Sequence, residues 1–163
     1  MSSSLGLDIA KGNEIWYVNY ANTDTAGSLN HCKAETTTQA TQEITTALEN
    51  IENLQDLAVN RSNVWMVTSN EVLVYNMKDE DGQSQTIVSG LTNAKGITYG
   101  DGFIYVTDHD TGFVCKFEDD GDNYESISDS CIKIEGAYGV HAINNVEDFA
   151  YSLAASLLLI LLS

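Results

Sequence analysis

The feature that most constrains this chain is a pattern it repeats. Leu91 to Asp108, LTNAKGITYGDGFIYVTD, reads as a loop, a strand over Lys95 to Tyr99, a tight Gly100-Asp101-Gly102 turn and a second strand over Phe103 to Thr107. The outline recurs in Ile51 to Thr68, where Asn53, Leu57, Val59 and Val67 take the places of Asn93, Ile97, Tyr99 and Val106. Leu5 to Val18 supplies it again through Gly6-Leu7-Asp8-Ile9 and Ile15-Trp16-Tyr17-Val18. In Ile134 to Tyr151 the matching pieces are Gly139-Val140-His141-Ala142 and Phe149-Ala150-Tyr151. A period of roughly 40 to 50 residues carrying several short strands marks a radially repeated sheet, the blade of a propeller. A single blade cannot bury both its faces, so its neighbours must cover them.

Read in this register, the chain is all-β: a propeller of four-stranded blades, three of them plus the start of a fourth, with an apolar C-terminal tail. The partial propeller spans 4–148, with blades over 5–50, 51–90, 91–133 and, in part, 134–151. Blade one opens with strands at 5–9 and 14–20 joined by Lys11-Gly12-Asn13, and a third near Ser28 to Lys33. Glu35 to Asn50 has the composition of a helix through Glu43 to Leu48. The repeat register makes Thr45 to Leu48 a strand instead, because it aligns with Gln85 to Val88, and context overrides propensity. Blade two has strands at 56–59, 64–68, 72–76 and 86–88, with Asp79-Glu80-Asp81-Gly82 as the turn before the last. Asp-Gly between strands is a strong hairpin signal, since glycine tolerates the positive φ of a tight turn. Blade three adds a third strand at 113–117 and a last one near 124–132. Three and a half blades do not close a ring of six. A fragment of a longer protein, an assembly of copies and a start lying further upstream all satisfy that count.

The tail is different. Phe149 to Ser163, FAYSLAASLLLILLS, carries no charge. As a helix it would be about 22 Å long, short for a bilayer core of about 30 Å. It suits the apolar end of a lipid-anchor signal of about 10–20 residues behind a polar spacer. Glu147 and Asp148 would belong to that spacer, and Gly136, Ala137 and Asn144 are the candidate attachment positions. A retained membrane anchor and a buried strand or helix are the competing readings. The N-terminus, MSSSLGLDIAKG, has neither the basic region nor the apolar run of a signal peptide and enters the repeat at its first strand.

Acidic residues number 24 against 7 basic ones, a formal charge of −17. That balance excludes a nucleic-acid binder, which needs clustered Lys and Arg, and docking on anionic lipid through a basic patch. Cys32, Cys115 and Cys131 have neither zinc nor redox spacing. Cys115 and Cys131 fall within one repeat and can pair, or remain buried thiols. Asn60-Arg61-Ser62 is a glycosylation sequon in a turn.

Asp108-His109-Asp110-Thr111-Gly112 is the most chemically suggestive string. A histidine between two carboxylates can serve as a metal ligand or a general base. Adjacent side chains on a strand point to opposite sides, however, and Asp24-Thr25-Ala26-Gly27 in the comparable place reads as an Asp-capped turn. Asp108, His109 and Asp110 are therefore candidate metal ligands set against a plain turn. Asp119-Asp120-Gly121-Asp122-Asn123 and Asp79 to Gly82 offer oxygens for Ca2+ but do not fit the EF-hand loop, and they read as hairpin turns. His141 lies in the expected fourth-blade strand, packed or pore-facing. Trp16 and Trp65 occupy near-equivalent positions and read as inter-blade core. No catalytic residue is indicated, since nucleophile elbow, P-loop, HExxH and Rossmann fingerprint are all absent.

Gly96-Ile97-Thr98-Tyr99, Gly102 and Ile104-Tyr105-Val106-Thr107-Asp108 resemble the NHL repeat and, more broadly, the six-bladed superfamily holding TolB-like, YWTD and gluconolactonase-type proteins. The resemblance covers most of 4–151. It implies either of two functions. One is a non-enzymatic platform, outside the cell and membrane-associated through the tail, binding protein or glycan on a propeller face, with self-association one way to complete a ring. The other is a fragment of a divalent-cation-dependent, gluconolactonase-like hydrolase, with Ca2+ as the candidate cofactor. The hydrolase needs acidic and Asn ligands converging from several blades. Fold alone does not choose between them.

Overall fold

The computed structural model of the chain describes residues 3–10, 12–20, 26–34, 43–60, 62–78, 82–118 and 126–142. The described residues form twelve strands and no helix. Strands β1 (Ser3–Ala10), β2 (Glu14–Tyr20), β3 (Gly27–Lys33) and β4 (Thr45–Ile51) make one sheet in that order. A second follows from β5 (Leu54–Val59), β6 (Asn63–Thr68), β7 (Glu71–Asn76) and β8 (Ser84–Ser89), and a third from β9 (Ala94–Gly100), β10 (Phe103–Asp108), β11 (Phe113–Glu118) and β12 (Ser126–Lys133). Each is an antiparallel meander, and together they are three blades of an incomplete β-propeller. The ambiguous segment is the strand β4, as the repeat register requires.

Local chemistry sets the hairpins. Gly100 pairs with Phe103 across Asp101 and Gly102, whose φ values are 52° and 82°. Two positive-φ residues are what a two-residue turn matched to the strand twist demands, and Asp-Gly supplies them at low steric cost. Cys115 and Cys131 oppose each other on β11 and β12 and form a disulfide.

Blades pack through their second strands. Trp16 and Val18 of β2 bury against Val64 and Met66 of β6, with Leu29, Leu54 and Leu57. On the other side of β6, Trp65 and Val67 bury against Ile97, Ile104 and Val106 of the third blade. Trp16 tilts against Tyr75, while Trp65 stacks on Tyr99 at 4.6 Å and 6°. Such aromatic contacts contribute about 0.5–1.5 kcal/mol beyond burial. The two tryptophans are the inter-blade core expected of them. Their indole N–H groups find no acceptor among the described residues.

Nearest the axis, each blade fastens the next with one side chain. Asp8 Oδ2 of β1 accepts the Val59 N–H of β5 at 2.8 Å. Asp56 Oδ2 of β5 accepts the Ile97 N–H of β9 at 3.2 Å. Thr98 Oγ1 of β9 accepts the Ala142 N–H at 3.2 Å. Backbones come close here: a Cβ added at Gly6 would overlap Asp56, and one at Gly96 would lie 2.9 Å from the Tyr138 carbonyl. Residues 138–142 therefore sit where the inner strand of a further blade belongs, although they pair with no strand. His141 accordingly lies exposed on an irregular segment, not within a strand as the sequence register placed it. Among the described residues no helix is long and apolar enough to cross a membrane, and the tail, 149–163, lies outside them.

Candidate functional site

In an antiparallel meander, the loops entering each inner strand and the turns joining its second and third strands share one end. At that end the second and third blades repeat a rim. The Ser69 N–H donates to the Asn53 carbonyl (3.2 Å), and the His109 N–H donates to the Asn93 carbonyl (3.1 Å). Asn70 and Asn53 belong to one blade, Asp110 and Asn93 to the next, about 40 residues on.

Asp108 supports this rim from beneath. Buried at the end of β10, it accepts the N–H groups of Asn93 on Oδ1 and Thr92 on Oδ2, both at 3.0 Å. Its carbonyl accepts the Gly112 N–H (2.9 Å) and the Thr111 hydroxyl (3.3 Å), closing the turn into β11. The carboxylate is thus committed to backbone donors, and a buried acceptor in that position holds the loop rigid. In the second blade Thr68 stands in the same place and bonds the Glu71 N–H.

His109 and Asp110 face solvent, 40% and 52% exposed. Asp110 Oδ1 accepts Asn93 Nδ2 at 2.8 Å and lies 3.2 Å from His109 Nδ1. The hydrogen bond from Asn93, then that from His109, holds the Asp110 carboxyl below its ordinary range. The His109 ring meets Tyr138 edge-on. The structure thus joins two of the three sequence candidates, His109 and Asp110, through Asn93, and turns Asp108 inward. Among the described residues no group of three or more His, Cys, Asp or Glu converges as a metal site would.

Three features of this end carried no sequence motif. Lys95 Nζ donates to Gln55 Oε1 at 3.2 Å, bridging the second and third blades. A cleft of ≈ 450 Å³ opens between the first two blades, lined by Glu49, Glu52, Glu71, Asn50, Asn53 and Asn70 among others. Asp56 stands where the repeat carries Gly6, Gly96 and Gly139, and that departure was the available signal. Of the remaining sequence candidates, Asn60 sits in the turn closed by its N–H to the Asn63 carbonyl (3.0 Å). Gly136 and Ala137 lie on the turn after β12, with the Ala137 N–H bonding the Ile134 carbonyl. Asn144, Asp24 and the acidic turns at 79–81 and 119–125 fall outside the described residues.

No family model and no curated protein matches this sequence. Solved structures match its fold. A nidogen/laminin complex aligns with TM-score 0.63 and 18% identity over 85% of this chain and 52% of that one. Regucalcin, a calcium-binding protein from Agrobacterium tumefaciens, aligns with TM-score 0.65 and 13% identity over 92% of this chain and 57% of that one. The chain spans about half the length of these structures, and at such identities the likeness is one of fold.

Proposed function

We propose that the chain is part of a β-propeller that serves, outside the cell, as a platform for a protein partner with a basic surface. The observation that carries the reading is the rim cleft. Glu49, Glu52 and Glu71 line a concave surface braced by rigid backbone turns, on a chain of formal charge −17. Fields of that sign steer basic partners and raise association rates at low salt. Support for an exterior location comes from the Cys115–Cys131 disulfide, a bond that persists in oxidising compartments. Tethering through 149–163 extends the proposal to the membrane. The solved nidogen/laminin complex makes a laminin fragment a natural probe.

The competing function, a cation-dependent hydrolase of the gluconolactonase-like kind, draws on the likeness to a calcium-binding protein. One experiment separates the two. The purified chain is tested by biolayer interferometry against a laminin fragment and a panel of basic extracellular proteins, alongside the triple variant Glu49→Gln/Glu52→Gln/Glu71→Gln. Saturable, salt-sensitive binding weakened at least about tenfold by the triple variant is the expected result. Lactone or ester hydrolysis that requires added calcium, with no partner bound, would replace this reading by the hydrolase.

A further inference from the structure

The inner-strand contacts contain a chemical irregularity. Two of the three side chains that fasten one blade to the next are carboxylates, Asp8 and Asp56, and the third is the hydroxyl of Thr98. Asp56 also departs from its own repeat. Gly6, Gly96 and Gly139 keep that position free of a side chain, and at Gly6 and Gly96 neighbouring backbone lies about 3 Å from where a Cβ would be. The Asp56 carboxylate instead occupies the crowded space where β1, β5 and β9 meet. Its Oδ2 takes the Ile97 N–H of β9, and its Oδ1 takes its own Leu57 N–H at 2.9 Å.

We propose that Asp56, backed by Asp8, makes the joints between inner strands proton-responsive, so that the blades hold one another more tightly in mildly acid solution than in neutral solution. The surroundings of Asp56 supply no countercharge. From β1 the titratable group is Asp8, a like charge, whose Oδ2 is held by the Val59 N–H. From β2 come Trp16 and Val18, and β6 sets Val67 opposite Asp56 in register. The cation of β9, Lys95, gives its ammonium to Gln55. Two backbone N–H groups favour the carboxylate, but burial outweighs them and Asp8 adds to it, pushing the Asp56 pKa up to about 6.

The sign follows from linkage. The folded chain binds the Asp56 proton more tightly than the unfolded chain, whose carboxyl titrates near 3.8. The contribution to stability is therefore complete below about pH 4 and is lost as pH rises through about 6. Across that window the folding constant changes by up to about 100-fold through this one group. General repulsion among the other acids is common to wild type and variants, so a difference between them isolates Asp56.

The test is urea unfolding of the full chain from pH 4 to pH 7, comparing wild type with Asp56→Asn and Asp8→Asn. Wild type should lose up to about 100-fold in folding constant, relative to Asp56→Asn, as pH rises across the window. Asp8→Asn should retain the effect with its midpoint moved down. Parallel pH profiles for wild type and Asp56→Asn would overturn the proposal. If Asp56→Asn does not fold, carbon-detected NMR titration of the Asp56 carboxyl in the wild-type chain decides. A midpoint near 6 upholds the proton-responsive joint, and a midpoint at or below the unfolded value of 3.8 ends it.

Discussion

The first and second blades are written in nearly the same letters and are buried very differently. In β6, Val64, Trp65, Met66 and Val67 are all fully buried in succession, because each face of that sheet meets another blade. In β2, Trp16 and Val18 are buried while Ile15 and Tyr17 are half-exposed, and on β1 the side chains of Leu7 and Ile9 stand 61% exposed. Apolar side chains in both strands answer the same β preference for branched and aromatic residues. What differs is the neighbour. A strand's burial pattern in this architecture reports how many blades flank it, and its hydrophobicity alone does not.

The largest way to test that contrast is to remove one aromatic from a covered face and its counterpart from an open one. Trp65 faces the third blade and stacks on Tyr99. Tyr105 holds the matching place on the third blade, and beyond it the described residues supply only the segment 138–142, with Lys116 and Phe103 nearby. Trp65→Ala should cost about 3–5 kcal/mol in urea unfolding. Tyr105→Ala should cost about 1 kcal/mol, as befits a partly exposed side chain. Equal losses would mean that the open face of the third blade is covered in solution.

A smaller effect sharpens the same comparison at the axis. Gly96 touches the Tyr138 carbonyl and Gly139, whereas Gly102 lies in open space. Gly96→Ala forces the segment 138–142 away from β9 and breaks the Thr98 bond to Ala142, costing about 1–3 kcal/mol. Hydrogen exchange should report faster exchange at Ala142, with the amides of β6 unchanged. Retained protection at Ala142 would show that the segment is held from elsewhere.

The repeat was legible because turn chemistry and strand residues recur at fixed offsets. Asp101-Gly102 and the Asn53/Asn93 pair mark the same loops, and Trp16 and Trp65 mark the same inter-blade positions. Even the helix-like letters of 43–48 yielded to that register. The irregular course of 138–142 was not legible. Gly139-Val140-His141-Ala142 has the composition of a strand, but strand pairing needs a partner edge, and a local sequence does not say whether one is supplied. The role of Asp108 was half legible. An Asp opening a turn is a familiar signal, while its reach back to Thr92 and Asn93 is a tertiary contact. Asp56 was visible only as an exception to a glycine position. The acidic cleft assembles from segments about 20 residues apart, so no single motif announces it.

The smallest expected effect is the most diagnostic for the first blade. Leu7 and Ile9 lie on the side of β1 away from Asp8, which reaches toward the second blade. If that outer face meets only water, replacing both residues by Gln removes no packing. Stability should then move by no more than about 0.5 kcal/mol, the usual range for surface changes. Sedimentation should also show an unchanged mass. A loss above about 2 kcal/mol, the scale of uncovering buried side chains, would mean that something covers the face in solution. A concentration-dependent loss would identify a second copy, and a concentration-independent one a segment of the same chain. Either result would turn the exposed pattern of β1 into the covered pattern of β6 and make the two blades alike.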